Sequence, residues 1–581
     1  MILQALAGYY RRMFEERSVD LAPEGFERKG IPFVIVLDKD GGFVGIDDTR
    51  EGEGKKKSAR TFTVPKGVKK TSGIVANLLW DTPAYVVGRP KPDPKKEKAA
   101  LDKRARDQFR CFVEKIRETF PDEGVDRGVG AVLQFLTAGR FDDLFTHPLW
   151  QEIEANGANL SFRLDTDTTL VCQRPPVLAR LTSINDNTVA VDKSRQICLV
   201  SGEPDEPIRL HTAIKGVWGT QTSGANIVSF NLDAFRSFGK KQGMNAPVGR
   251  KAEFAYTTAL NTLLAKGSRQ RLQVGDATTV FWAEKKNEIE DVFADIFDEP
   301  AKDNPDQATK AIRVLYEAPR AGVPPLTEDY TPFYVLGLAP NAARIAVRFC
   351  HAGTVAETAR HILQHFEDCA MAHGPTQPEH LSLFRLLLST ATQGKSENIP
   401  PNLGGEFMKA ILSGSPYPQT LLGAAIRRCR AEREITYPRA ALIKALLARA
   451  ARFYHQQEKE AGMALDTGNT NIGYRLGRLF ATLEKIQEEA SPGINATIRD
   501  CFYGAASGTP VAAFPHLMKL KNHHLAKLEN RGRAVNLEKI ITEIMDGIND
   551  FPTHLSLQDH GRFAVGYYHQ RQGFFTRHGN N

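Results

Sequence analysis

IPFVIVLD, residues 31–38, is an unbroken apolar run; DKDGG closes it, and GFVGIDD carries the chain on to residue 48. A short Val/Ile-rich run ended by an Asp/Gly turn and followed by a second apolar segment predicts a buried strand and its return in a hairpin. Upstream, residues 2–17 place Leu3, Leu6, Tyr10 and Phe14 near helical spacing, which predicts an amphipathic helix. Downstream, prolines at 90, 92 and 94 forbid helix until the strong propensity that begins at Lys98.

Farther along, TLVCQ, QICLV and TTVFWAE predict short strands between about 160 and 335. FYVLGLAPNAARIAVRFC (333–350) reads as two strands around a Gly-Leu-Ala-Pro turn, or as a strand leading into a helix. After about residue 350 the pattern turns helical. LGRLFATLEKIQEEA sets Leu476, Leu479, Phe480, Leu483 and Ile486 on one face, and SPG at 491–493 ends the helix. No fixed-period repeat interrupts this order. The expected fold class is α+β, a mixed α/β N-terminal region followed by C-terminal helical bundles. Its expected divisions are 1–335 with basic loops at 51–110, a mainly helical 336–460, and a helical bundle at 463–581.

A chain of 581 residues exceeds what one hydrophobic core serves, so roughly three or four structural units are expected. With 41% hydrophobic and 25% charged residues, its composition is that of a folded protein. The seven cysteines form no CxxC pair, which argues against a disulfide framework or thiolate zinc site and fits a reducing cytoplasm. No apolar stretch approaches the ~18 residues of a membrane span.

The net charge is +8, and its placement is uneven. Residues 51–110 hold 16 Lys/Arg against 7 Asp/Glu, hence +9, which leaves about −1 for the rest of the chain. Such an excess implies a polyanionic partner, although a solvated lysine-rich loop is the plain alternative. Two stretches mimic a nucleotide-binding loop and fail. GEGKKKS (52–58) has a lysine where the magnesium-binding hydroxyl belongs, and GVKKTSG lacks the glycine that must precede the lysine. Lysines on glycine-hinged loops suit a nucleic-acid backbone instead, with hydroxyls and amides adding directional contacts. The candidates are Lys55, Lys56, Lys57, Arg60, Lys66, Lys69, Lys70, Ser72 and Asn77. A second polar run, IKGVWGTQTSGANIVSFN (214–231), offers Gln221, Ser223 and Asn226 for base edges and Trp218 to stack or wedge. It reads equally as an irregular loop.

Catalytic signatures are poor. His361/His365 and His523/His524 lack the carboxylate of a zinc-hydrolase motif, and no serine or cysteine nucleophile motif occurs. No catalytic residue, metal or cofactor is expected.

Taken in order, MILQAL, IPFVIVLD, DDTREGEGKKKSARTFTVPKGVKKTSG, NLLWD, IKGVWGTQTSGANIVSFN, SFGKKQGMNAPV, TTVFWAE, FYVLGLAPNAARIAVRF and GYYHQRQ resemble the large subunit of the type I-C CRISPR Cascade complex. The likeness runs from residue 1 to about 572. It implies a cytoplasmic, non-nuclease subunit of an RNA-guided surveillance complex. Such a subunit inspects the protospacer-adjacent motif, helps open the duplex and recruits the helicase–nuclease, while base pairing reads sequence. Its implied partners are CRISPR RNA, double-stranded target DNA and its displaced strand, a backbone subunit, a subunit holding the guide's 5′ handle, and a small subunit. The resemblance also implies that the small subunit starts inside the same reading frame. Met463 either opens it or is an ordinary methionine between helices. The rival readings are a nuclease or RNA-processing enzyme of the same defence system, and an RNA-packaging protein.

Overall fold

The structure, a computed structural model, describes residues 1–16, 22–52, 57–68, 70, 73–94, 97–122, 126–187, 195–300, 304, 306–317, 325–456 and 460–575. It divides into two compact units, one formed by 13–207 with 247–254, the other by 1–12, 208–246 and 255–581. The fold class is α+β, with small sheets and a helical C-terminal region.

In the first unit, strand Phe33–Leu37 is buried at every position. The reason is its place inside a four-stranded sheet. It pairs antiparallel with Phe43–Asp48 and parallel with Leu160–Leu164, and Trp80–Asp81 lies beyond the latter. A strand covered on both faces needs the unbroken FVIVL run rather than an alternation. The hairpin turn is held by Asp38, whose Oδ1 accepts from Asp40 N at 2.8 Å and Gly42 N at 2.7 Å. Gly41 has φ +79°, and a Cβ there would lie 2.7 Å from Ala131 O, so only glycine serves. Phe26–Gly30 and Thr61–Pro65 make a separate two-stranded ribbon.

The second unit carries a four-stranded antiparallel sheet in the order 271–274, 277–283, 332–341, 344–354. TTVFWAE is a strand as expected, wholly buried over Ala277–Ala283. FYVLGLAPNAARIAVRFC is a pair of strands, but Gly337 and Leu338 sit at a register shift inside the first strand, and the chain turns around Ala342 instead. Back in the first unit, TLVCQ ends in a 3-10 turn, Val171–Gln173, and QICLV keeps only Gln196–Ile197 as strand. In the second unit the helix Val355–Cys369 follows the strand 344–354 directly, capped by Thr354 and Glu357, each side chain accepting from the other's backbone N–H.

Helix Ile472–Ala490 buries Leu476, Leu479, Phe480, Leu483 and Ile486, the face expected from its spacing. Its partner is Leu557–Gly573, and the two approach through glycines. A Cβ on Gly477 would lie 2.1 Å from Phe563 O, and one on Gly566 would lie 2.2 Å from Tyr474 O. Several buried charges among these helices are paired. Arg449 Nε lies 3.3 Å from Asp368, whose carboxylate also accepts from Arg452 at 2.9 and 2.7 Å. The histidines His351, His365 and His569 are held neutral by burial, which pushes them down to about 4, about 3 and about 4.

Two outcomes are expected. The G477A and G566A variants should each lose about 1–3 kcal/mol of stability by overpacking, read as a lowered thermal midpoint. Since the three histidines stay neutral in the fold but titrate near 6.5 when unfolded, stability is full above that pH. It should fall as pH drops from about 6.5 toward 4, by roughly 1.4 kcal/mol per pH unit for each group. Melts across this range should show the decline, shallower in H569Q.

Candidate nucleic-acid interface

The two segments singled out by the sequence lie in different units. In the first, ribbon strand Thr61–Pro65 leads into a loop that returns to the sheet at Trp80, whose Nε1 donates to Pro65 O at 2.8 Å. Asp81 is 1% exposed and organises the loop. Its carboxylate accepts from Asn77 N at 2.9 Å, Thr82 N at 2.8 Å and Lys70 Nζ at 2.6 Å on both oxygens. Lys70 also stands 3.6 Å from the centroid of the Tyr85 ring. Its charge is therefore spent on a buried carboxylate and an aromatic face. Asn77 is 6% exposed, and its Oδ1 accepts from Val68 N at 3.0 Å. This amide staples the loop and presents nothing to a base edge.

Lys66 is half-buried, 3.6 Å from Glu253 and 5.5 Å from the Phe254 ring centroid. Lys57 and Arg60 are exposed, with the Arg60 guanidinium over the Phe62 ring at 5.5 Å. Lys55, Lys56, Lys69 and Ser72 lie outside the described residues. A cationic feature that residue counting passed over is the helix Lys98–Thr119. Lys103, Arg106 and Arg110, at i, i+3 and i+7, share one exposed face of it. The signal was readable as helical spacing inside the basic stretch. A rigid helix holds these three cations at fixed intervals, which loop lysines cannot do.

In the second unit the 214–231 run forms a loop pinched at its base. Ile214 and Ala225 exchange backbone hydrogen bonds of 2.8 and 2.9 Å. Gly224, at φ +86°, sits where a Cβ would meet Ile214 O at 2.6 Å. Trp218 N donates to Thr278 Oγ1 at 2.9 Å and Lys215 N to Asn261 Oδ1 at 2.8 Å, tying the loop to strand and helix. Val217 is buried while the Trp218 side chain is 65% exposed. Gln221 and Ser223 are exposed beyond it. Asn226 behaves differently. Its Nδ2 donates to His211 O at 2.8 Å, and its backbone bridges to the strand at Arg344 and Ile345. The structure thus groups Trp218, Gln221 and Ser223 on one anchored tip and turns Asn226 inward as a tie.

Among the described residues, no group of three or more His, Cys, Asp or Glu could hold a metal ion. His365 is a core residue whose Nδ1 meets the Tyr417 hydroxyl at 2.7 Å, and His361 Nδ1 meets Leu412 O at 2.7 Å. Asp47 pairs with Arg163 and Glu432 with Arg439, at 2.6 Å in each case. No described helix is long and apolar enough to cross a membrane.

Comparison with known proteins adds one match. The model of a family described as CRISPR-associated protein (Cas_Csd1) matches residues 6–575. No curated protein matches the chain.

The loop geometry separates two classes of lysine. K70A should lose about 1–3 kcal/mol in chemical denaturation, less than a fully buried pair would, because Lys70 keeps 31% of its side chain in water. K57A and R60A should stay within about 0.5 kcal/mol of the parent chain.

Proposed function

Because the chain belongs to the Cas_Csd1 family of CRISPR-associated proteins, we propose that it is the large subunit of a type I-C Cascade surveillance complex. In this reading it is a non-catalytic, cytoplasmic subunit that binds duplex DNA at the protospacer-adjacent motif, aids strand opening and recruits the helicase–nuclease. Guide RNA, a backbone subunit, the subunit holding the guide's 5′ handle and a small subunit are its partners. Base pairing between guide and target carries the sequence information, so the protein has only a short motif to sense.

The observation that carries the reading is the anchored tip bearing Trp218, Gln221 and Ser223. A flat aromatic face and two hydrogen-bonding side chains stand in solvent on a loop whose backbone is fixed at 215, 218 and 225. Amide and hydroxyl groups meet base edges, and an aromatic ring fits between or against base pairs. Affinity has a separate source. Lys55, Lys56, Lys57 and Arg60, with Lys103, Arg106 and Arg110 on the helix, neutralise phosphates and release counterions. Lys66, Lys69, Lys70, Ser72 and Asn77 belong to the same segment. Of these, Lys70 and Asn77 serve by shaping the loop.

Gel-shift titration of the guide-loaded complex tests both parts. K103A/R106A/R110A should flatten the slope of log affinity against log salt by up to about 2.7, at roughly 0.9 per duplex phosphate contact. W218A/Q221A/S223A should weaken binding to motif-bearing duplex and leave that slope unchanged. If both triple variants bind as the parent does, the assignment is wrong.

A further inference from the structure

The segment Ile208–Ala246 holds one feature that the motif-sensing tip does not use. Among the described large apolar side chains, Phe238 is the most exposed, at 98%. Its backbone is left-handed, with φ +51°, a conformation that bulky residues rarely adopt. The turn that imposes it is firmly built. Ser237 N donates to Asn245 Oδ1 at 3.0 Å, Lys240 N to Ser237 O at 2.9 Å, and Asn245 Nδ2 to Lys240 O at 3.2 Å and Gln242 O at 2.9 Å. Gly243 closes it against the chain at 208–209, its N donating to Arg209 O at 3.0 Å, where a Cβ would lie 2.1 Å from Ile208 O. One asparagine amide thus ties three points of a turn whose apex is an aromatic ring in water.

The charge of this segment is one-sided. Ile208–Ala246 contains five Lys/Arg (Arg209, Lys215, Arg236, Lys240, Lys241) and a single carboxylate, Asp233. Asp233 is paired with Arg236 at 2.7 Å, and Lys240 and Lys241 are exposed immediately after the ring. A partner that meets this surface brings negative charge and a flat apolar face together, which is the chemistry of a nucleic acid. Phe238 has no atom that hydrogen-bonds to a base edge, so it contributes only by stacking. The faces of a base inside an intact duplex are already covered. A free face exists only where a base is unpaired or ends a stack.

We infer that Phe238 is a stacking post for an unpaired nucleobase, with Lys240 and Lys241 holding the neighbouring phosphates. The inference rests on the nucleic-acid-binding reading above and narrows it to opened rather than closed DNA at this turn. It is a separate contact from the Trp218 tip and acts once strands have parted.

The test uses the complete guide-loaded complex and motif-bearing DNA with 2-aminopurine placed singly at successive positions of either strand. With the parent chain, one position or two adjacent positions should be quenched by stacking. F238A should remove that quenching and weaken binding to pre-opened DNA roughly 5- to 150-fold, the usual worth of one base–aromatic stack. F238W should retain the signal and F238L should lose it, because leucine keeps the apolar bulk without a π-face. If no probe distinguishes F238A from the parent complex, or F238L behaves as the parent does, the inference is wrong while the proposed function stands. If F238A instead fails to retain a partner subunit on size exclusion, the ring is a protein contact and the inference is wrong. If the parent complex does not bind motif-bearing DNA at all, both readings fall.

Discussion

A charge taken out of water must find its counter-charge or its donors inside the fold, and that requirement decides which cations this protein has left to offer. Asp81 engages Lys70 and two backbone N–H groups. Asp368 engages Arg449 and Arg452, and Glu484 accepts from the Tyr567 hydroxyl while Arg499 and Arg571 stand at 3.6 and 3.7 Å. Each pairing fixes a loop or a helix contact and neutralises a positive charge. A count of lysines and arginines treats such residues as available, and the folded molecule does not.

Where a stretch of sequence had one periodicity, its structure was readable. FVIVL is a central strand because nothing polar interrupts it, and Leu476 to Ile486 mark a helix face because their spacing allows nothing else. Failures occurred where two readings share one pattern. TLVCQ and QICLV are as apolar as true strands, yet lacking long pairing partners they settle as a 3-10 turn and a two-residue strand. In FYVLGLAPNAARIAVRFC the Gly-Leu-Ala-Pro letters look like a turn, but the sheet absorbs the glycine at a bulge and turns at Ala342.

For the candidate interface the same logic applies to side chains. That 214–231 would be an exposed polar loop was legible from composition, and Trp218, Gln221 and Ser223 do stand exposed. That Asn77 and Asn226 would turn inward was not, because an asparagine suits a base edge and a backbone staple equally well. Partners distant in sequence make that choice. The helical face of Lys103, Arg106 and Arg110 was visible in the spacing but hidden by the louder lysine clusters beside it. Membership of the Cas_Csd1 family sets the chain among CRISPR-associated proteins.

The last helices do not close on themselves. One continuous hydrophobic core runs from the Leu272 strand to Tyr568, and Gly561 lets Leu557–Gly573 settle against Ile443, Leu422 and Leu447, where a Cβ would lie 3.0 to 3.4 Å away. Ala372 N donates to Met463 O at 2.8 Å, and Tyr568 Oη to Ala372 O at 3.1 Å, stitching the same seam. A free-standing polypeptide beginning at Met463 would keep its glycine-to-glycine helix pair and lose everything on the other side of that seam. It would enter solution with an oily flank, and self-association or docking onto a ready-made host would be the way it hid it.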